Sequence, residues 1–180
     1  MRILRENTAA LLIDVQDRLV PVVAGADDVV RLTARLIRGL QILDVPVVPV
    51  RQYPKGLGDL APPVREALGE HTPSDKITFS AWDTPQIVER VRALEKTTLL
   101  VFGMETHVCV LQTVVDFLSD GYDVVVATDC VSSRKLSDHE TALRRIQDEG
   151  AVLTTSESIL FELLRAAGTD TFKQISALIR

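Results

Sequence analysis

The sequence is poor in cysteine and histidine, with only Cys109 and Cys130 of the first and His71, His107 and His139 of the second. Two cysteines outside any CxxC pair make no disulfide framework, and a reducing cytoplasm suits them. The histidines lack metal-ligand spacing, so no metal site is expected. Basic blocks are missing too: 20 Lys and Arg stand against 25 Asp and Glu, for a net charge of −5. That charge pattern argues against nucleic acid as a partner. No apolar run approaches the roughly 20 residues of a membrane span. The segment Met1–Asn7 lacks the apolar core and cleavage site of a signal peptide. After the first apolar run stands Asp14-Val15-Gln16-Asp17, not a glycine-rich dinucleotide fingerprint, and there is no P-loop. No cofactor is expected.

What is present is an alternation. At 180 residues the chain suits one domain with a sizeable core. Apolar, β-branched runs at Thr8–Val15, Val45–Val50, Thr97–Phe102, Tyr122–Thr128 and Ala151–Thr154 read as buried strands. Between them, apolar residues at helical spacing predict helices. One is Asp28–Leu43, with an N-cap in Ala26-Asp27-Asp28. Others cover Pro63–Gly69, a segment opened by Thr84-Pro85, and the stretch from Cys109 to about Gly121. Ser137 and Glu140 form a capping box for a helix to Gln147, and helices at Ser156–Leu164 and Thr171–Ile179 close the chain. Arg51–Pro63 is a long loop with three prolines and two glycines, and Glu70–Asp83 is irregular. Strands alternating with helices predict a single-domain, Rossmann-like α/β sandwich with a parallel sheet and helices on both faces.

Leu99–Thr113, LLVFGMETHVCVLQT, carries the chemistry. A buried strand passes through Gly103 and a polar turn into a helix, and Cys109 sits at that junction. A helix N-terminus favours the thiolate, and open α/β sheets bind ligands at the carboxyl ends of their strands. Taken alone, Cys109 reads equally as a small buried hydrophobe. Asp14 ends the first strand at the same sheet edge, and Lys76 lies in a loop long enough to reach it. An acid, an ammonium and a thiol together can activate the sulfur, move its proton to a leaving group, and use backbone N–H groups of the turn for an oxyanion. Asp14 could also be a turn cap and Lys76 a snorkelling surface lysine. Cys130, followed by Val131-Ser132-Ser133-Arg134, ranks below Cys109, although it could act as a resolving partner if the thiol were a redox sensor.

The segments ALLIDVQ (Ala10–Gln16), SDKITFSAW (Ser74–Trp82) and VFGMETHVCVLQT (Val101–Thr113) resemble the three signature segments of the isochorismatase-like cysteine hydrolases. RQYPKGLG and ATDCVSSR resemble a metal-independent subgroup without settled substrates. The resemblance implies a six-stranded parallel sheet, with Cys109 as nucleophile, Asp14 as general base and Lys76 as the supporting charge. It also implies a cis peptide at Met104–Glu105 and an oxyanion hole from the N–H groups of Glu105 and Cys109. Gln16 is expected to line the pocket. Tyr53, Phe79 and Trp82 are expected to wall it, with core packing the other reading of the last two. His107, two residues before the nucleophile, is a further candidate for the pocket. Arg51-Gln52-Tyr53 stands where nicotinamidases carry a DxH-type metal segment, which again predicts no catalytic metal. Retention of the cysteine favours amide or carbamoyl hydrolysis over isochorismate-type vinyl ether cleavage. A binding or assembly protein on the same fold is the alternative from another class. Family habit and the apolar final helix (Phe172, Ile175, Leu178, Ile179) predict a homo-oligomer, most simply a dimer.

Overall fold

The computed structural model describes residues 1–180 as six strands, eight α-helices and short 3₁₀ and π turns. The strands are β1 (Thr8–Ile13), β2 (Val47–Gln52), β3 (Ser74–Lys76), β4 (Thr98–Met104), β5 (Asp123–Ser132) and β6 (Val152–Thr154). They form one parallel sheet in the order β3-β2-β1-β4-β5-β6. β1 and β4 are buried along their whole length, as continuous apolar runs at the centre of a two-faced sheet must be.

The helices are α1 (Ala26–Ile42), α2 (Pro54–Leu57), α3 (Pro62–Leu68), α4 (Pro85–Arg92), α5 (Leu111–Ser119), α6 (Leu136–Asp148), α7 (Ser156–Leu164) and α8 (Asp170–Ile179). α1 packs with α3, α7 and α8 on one face, while α5 and α6 pack together and α4 lies against β2. The chain works outward from β1 to β3, then crosses to β4 and works outward again. The point of reversal lies between β1 and β4, where open α/β sheets leave a crevice at the strand carboxyl ends.

Several expectations change. The sixth strand, β3, falls in the stretch read as irregular, because three residues at a sheet edge give no periodicity to read. β5 extends to Ser132, through Cys130 and into the segment read as a polar loop. It does so by bulging: Val101 pairs with Val126 but Gly103 pairs with Val131. α1 starts from Gly25 in the left-handed conformation, and Asp27 and Asp28 lie inside its first turn, not at the cap. α6 starts at Leu136 after Lys135, so Ser137 is already helical and caps nothing with its side chain. In α8, Ile175 is fully buried, and the helix packs on α1 and α7. Phe172, Leu178 and Ile179 on the same helix stay partly exposed.

Gly103 is fixed by the crossing of β1 and β4. Its φ is +129°, and a Cβ there would stand 1.9 Å from the carbonyl oxygen of Ile13, the residue before Asp14. Only glycine lets the two central strands approach so closely. Gly103→Ala is expected to cost about 3 kcal/mol or more in urea unfolding, since neither the backbone angle nor the clash can relax against another main chain. Stability equal to the parent would overturn this account of the crossing.

Candidate active site

β1 delivers Asp14 to the reversal point. Its φ of +52° is a left-handed conformation that an aspartate holds at some cost, and its side chain is fully buried. β3 delivers Lys76 beside it, also with a fully buried side chain. Lys76 Nζ donates to Asp14 Oδ2 at 2.7 Å, Gln52 Oε1 at 2.6 Å, the Phe79 carbonyl at 3.0 Å and the Thr78 carbonyl at 3.2 Å. The ammonium is thereby saturated. The other carboxylate oxygen, Asp14 Oδ1, is buried with no hydrogen-bond partner.

β4 delivers Cys109. After Met104 the chain crosses a cis peptide to Glu105 and enters a π-helical turn, Thr106–Val110, that runs on into α5. π turns inside helices recur at functional sites. The Glu105 N–H makes no hydrogen bond to any acceptor in the fold. The Glu105 carboxylate, itself buried, receives the backbone N–H of Arg134 at 2.9 Å and its Nε at 3.0 Å, which ties the turn to the end of β5. Thr106 bonds His139 of α6 at 2.9 Å.

The thiol of Cys109 faces both members of the ion pair, and both act on its acidity. Burial, followed by the negative charge of Asp14, pushes its pKa up to about 12, with Lys76 opposing. Burial likewise raises the Asp14 carboxyl above the ordinary range, again against Lys76. The helix terminus and the lysine favour the thiolate, but they do not prevail here. Desolvation of the sulfur outweighs the helix and the lysine, and the proton sits on sulfur at neutral pH. Cys130 is buried deeper and raised further, beside Asp129 and away from Lys76.

The remaining candidates divide. Tyr53 and Phe79 are about half exposed on the loops that flank Lys76: the Tyr53 N–H bonds the Lys76 carbonyl, and the Phe79 carbonyl accepts from Nζ. Gln16 does not line a pocket. It is fully buried, and its amide is spent on the Gln52 carbonyl (3.0 Å), the Gly58 carbonyl (2.8 Å) and the Gln52 N–H (2.7 Å). Trp82 turns away, with its ring edge-on to Phe117 at 5.2 Å and Arg92 stacked on it. His107 points to Ser133 (2.9 Å) and Asp138, so it has partners away from the thiol. Gln52 is the polar residue that inspection of the sequence missed. It ends β2 in register with Lys76, and a polar side chain closing an apolar strand at the site edge was the available signal.

The loop after Lys76 is also stitched to α5, which continues from the turn of Cys109. Ser80 Oγ donates to Asp116 at 2.6 Å, and the Ala81 N–H donates to Thr113 at 3.0 Å.

Residues 8–158 match the model of the isochorismatase domain. The chain belongs to the isochorismatase family. As a family member it is 36% identical to isochorismatase domain-containing protein 2A of Mus musculus, over 99% of this chain and 85% of the mouse protein. Its fold superposes on the MAR1 ribonuclease of Caenorhabditis elegans with a TM-score of 0.93 and 35% identity, covering 99% and 92% of the two chains. It superposes on YcaC of Pseudomonas aeruginosa, solved with hexane-2,5-diol and covalent acrylamide, with a TM-score of 0.92 and 25% identity, covering 98% and 91%. No helix of this isochorismatase-family chain is long and apolar enough to cross a membrane.

Two expected outcomes follow from the charges around sulfur. Asp14 raises the thiol pKa and Lys76 lowers it, so Asp14→Asn should speed iodoacetamide capture of Cys109 at fixed pH and Lys76→Met should slow it. Each unit of pKa change alters the rate by roughly threefold, because the gain in thiolate is partly offset by lower nucleophilicity. Peptide mass spectrometry reads both, and unchanged rates in both variants would show that the three groups do not interact. The second outcome concerns stability. The unfolded chain ionises this thiol near its ordinary 9.0, while the folded chain holds the proton to about 12. Folding stability is therefore lost as pH rises through that window, by up to about 1.4 kcal/mol per pH unit for this thiol. Cys109→Ala should flatten that alkaline slope in thermal melts from pH 8 to 11.

Proposed function

We propose that this protein hydrolyses a C–N bond, amide or carbamoyl, of a small molecule through a covalent thioester on Cys109. The supporting observation is the buried Asp14 carboxylate, which acts on the Cys109 thiol and whose Oδ1 has no hydrogen-bond partner, with Oδ2 held by Lys76. A thiol whose resting pKa is near 12 needs a base in contact, and Asp14 is the group placed to act as one.

Sulfur attacks the carbonyl carbon as its proton passes to Asp14 Oδ1. The carbonyl oxygen becomes an oxyanion, for which the free Glu105 N–H and the Cys109 N–H are the donors. Asp14 returns the proton to nitrogen, the C–N bond breaks, and ammonia or an amine leaves. Water then attacks the thioester carbon and gives its proton to Asp14. The C–S bond breaks, and the sulfur regains a proton from Asp14. Lys76 remains an ammonium throughout, so the carboxylate cycles its proton beside a fixed positive charge. Tyr53 and Phe79, half exposed beside Lys76, are placed to meet the substrate. The protein works without a metal, in the reducing cytoplasm that its free thiols suit, and assembles as a homo-oligomer.

The acrylamide carried covalently by Pseudomonas YcaC supports a reactive nucleophile on this fold. A second activity is favoured by the name of the Caenorhabditis neighbour, a ribonuclease. The net charge of −5 and a site of thiol, carboxylate and ammonium argue for acyl transfer over phosphodiester cleavage. Isochorismate-type vinyl ether hydrolysis would use Asp14 without the thiol, and an assembly role would use neither.

A panel of small primary amides and carbamoyl compounds, with an RNA control, tests this. The expected result is turnover of an amide, an acyl adduct on Cys109 in rapid-quench mass spectrometry, and a loss of at least 10³-fold in Cys109→Ala and Asp14→Asn, the scale expected when a nucleophile or its base is removed. Acrylamide should label Cys109 and spare Cys130. Turnover that survives Cys109→Ala would overturn the covalent route.

A further inference from the structure

We propose that Gln52 is a positioning residue that leaves Lys76 with a single anionic partner, offering it an acceptor that cannot take a proton, so that Asp14 is the site's only base. This deepens the proposed function and rests on it.

Four oxygens surround Lys76 Nζ, and three of them are neutral: the amide of Gln52 and the carbonyls of Thr78 and Phe79. The 2.6 Å contact to Gln52 is the shortest of the four. The amide cannot turn its NH₂ end to the lysine, because Nε2 is spent on the Ile77 carbonyl at 2.9 Å. Its orientation therefore follows from the network. The main chain of Gln52 is clasped on both sides by the buried amide of Gln16. Gln52 also stands in register with Lys76 across the β2–β3 ladder, where β3 is a three-residue edge strand. A chain of contacts therefore runs from Gln16 through Gln52 and Lys76 to Asp14 and the thiol. A carboxylate at position 52 would divide the lysine between two anions and provide a second base. An apolar side chain would release the ammonium from its shortest contact while leaving the main-chain clasp intact.

The test uses Gln52→Met and Gln52→Glu in the full chain, with Lys76→Met as reference, and reads the pH dependence of iodoacetamide capture at Cys109. Gln52→Met should slow capture about threefold per unit of upward shift in the thiol. Gln52→Glu should slow it further, because it sets a second negative charge on the ammonium that lowers the thiol pKa. A part in shape alone would make the two variants alike, and that result overturns the proposal. Wild-type profiles in both variants, with Lys76→Met still slow, also overturn it while leaving the triad standing. If Lys76→Met itself leaves the profile unchanged, the triad assignment and this inference fall together. Should Gln52→Met fail to fold by circular dichroism, Gln52→Glu against the parent decides alone: slower capture supports the proposal and an unchanged profile overturns it.

Discussion

The buried pair of Asp14 and Lys76 is the constraint around which the rest of this structure is arranged. Two opposite charges with no solvent exposure carry a desolvation cost that their mutual attraction offsets only with good geometry and full hydrogen bonding. The fold supplies both. β1 and β3 end at the same edge of the sheet, Gly103 lets β4 press against the residue before Asp14, and four oxygens enclose the ammonium. Removing either partner would strand a charge in the interior, at a cost of about 3–5 kcal/mol. The pair is thus a structural commitment before it is a chemical one.

Its electrostatics also explain why the thiol rests protonated. A cysteine beside a lysine and near a helix start has two influences favouring the thiolate, yet burial and Asp14 together outweigh them. The same carboxylate that raises the thiol pKa is the group positioned to remove its proton. A thiol held protonated in this way is less open to oxidation than a thiolate would be.

The sheet was legible in the sequence because its central strands are fully buried and read as unbroken apolar runs. Asp14, Lys76 and Cys109 were legible because chemistry-bearing side chains stood at strand ends or within reach of one edge. The limits of that legibility are equally physical. Three residues of edge strand have no period, so β3 was read as irregular. A bulge leaves no compositional mark, so the end of β5 was read as loop. Gln16 and Gln52 show the same side chain with different placements: an amide in a sequence gives no sign whether it faces a ligand or grips a backbone, and only the partners of its oxygen and nitrogen decide. His107 and Trp82 were drawn toward the site by nearness in the chain. In space they belong to the packing of α6 and of α5.

The stitching of the lysine loop to α5 has a consequence for motion. Ser80 bonds Asp116, and Ala81 bonds Thr113, on the helix that continues from the turn of Cys109. The loop that fixes the ammonium and the helix that carries the sulfur are thus one mechanical body. Local opening will not release one without the other, and their amides should exchange with solvent as a single cooperative unit whose opening disassembles the whole triad at once.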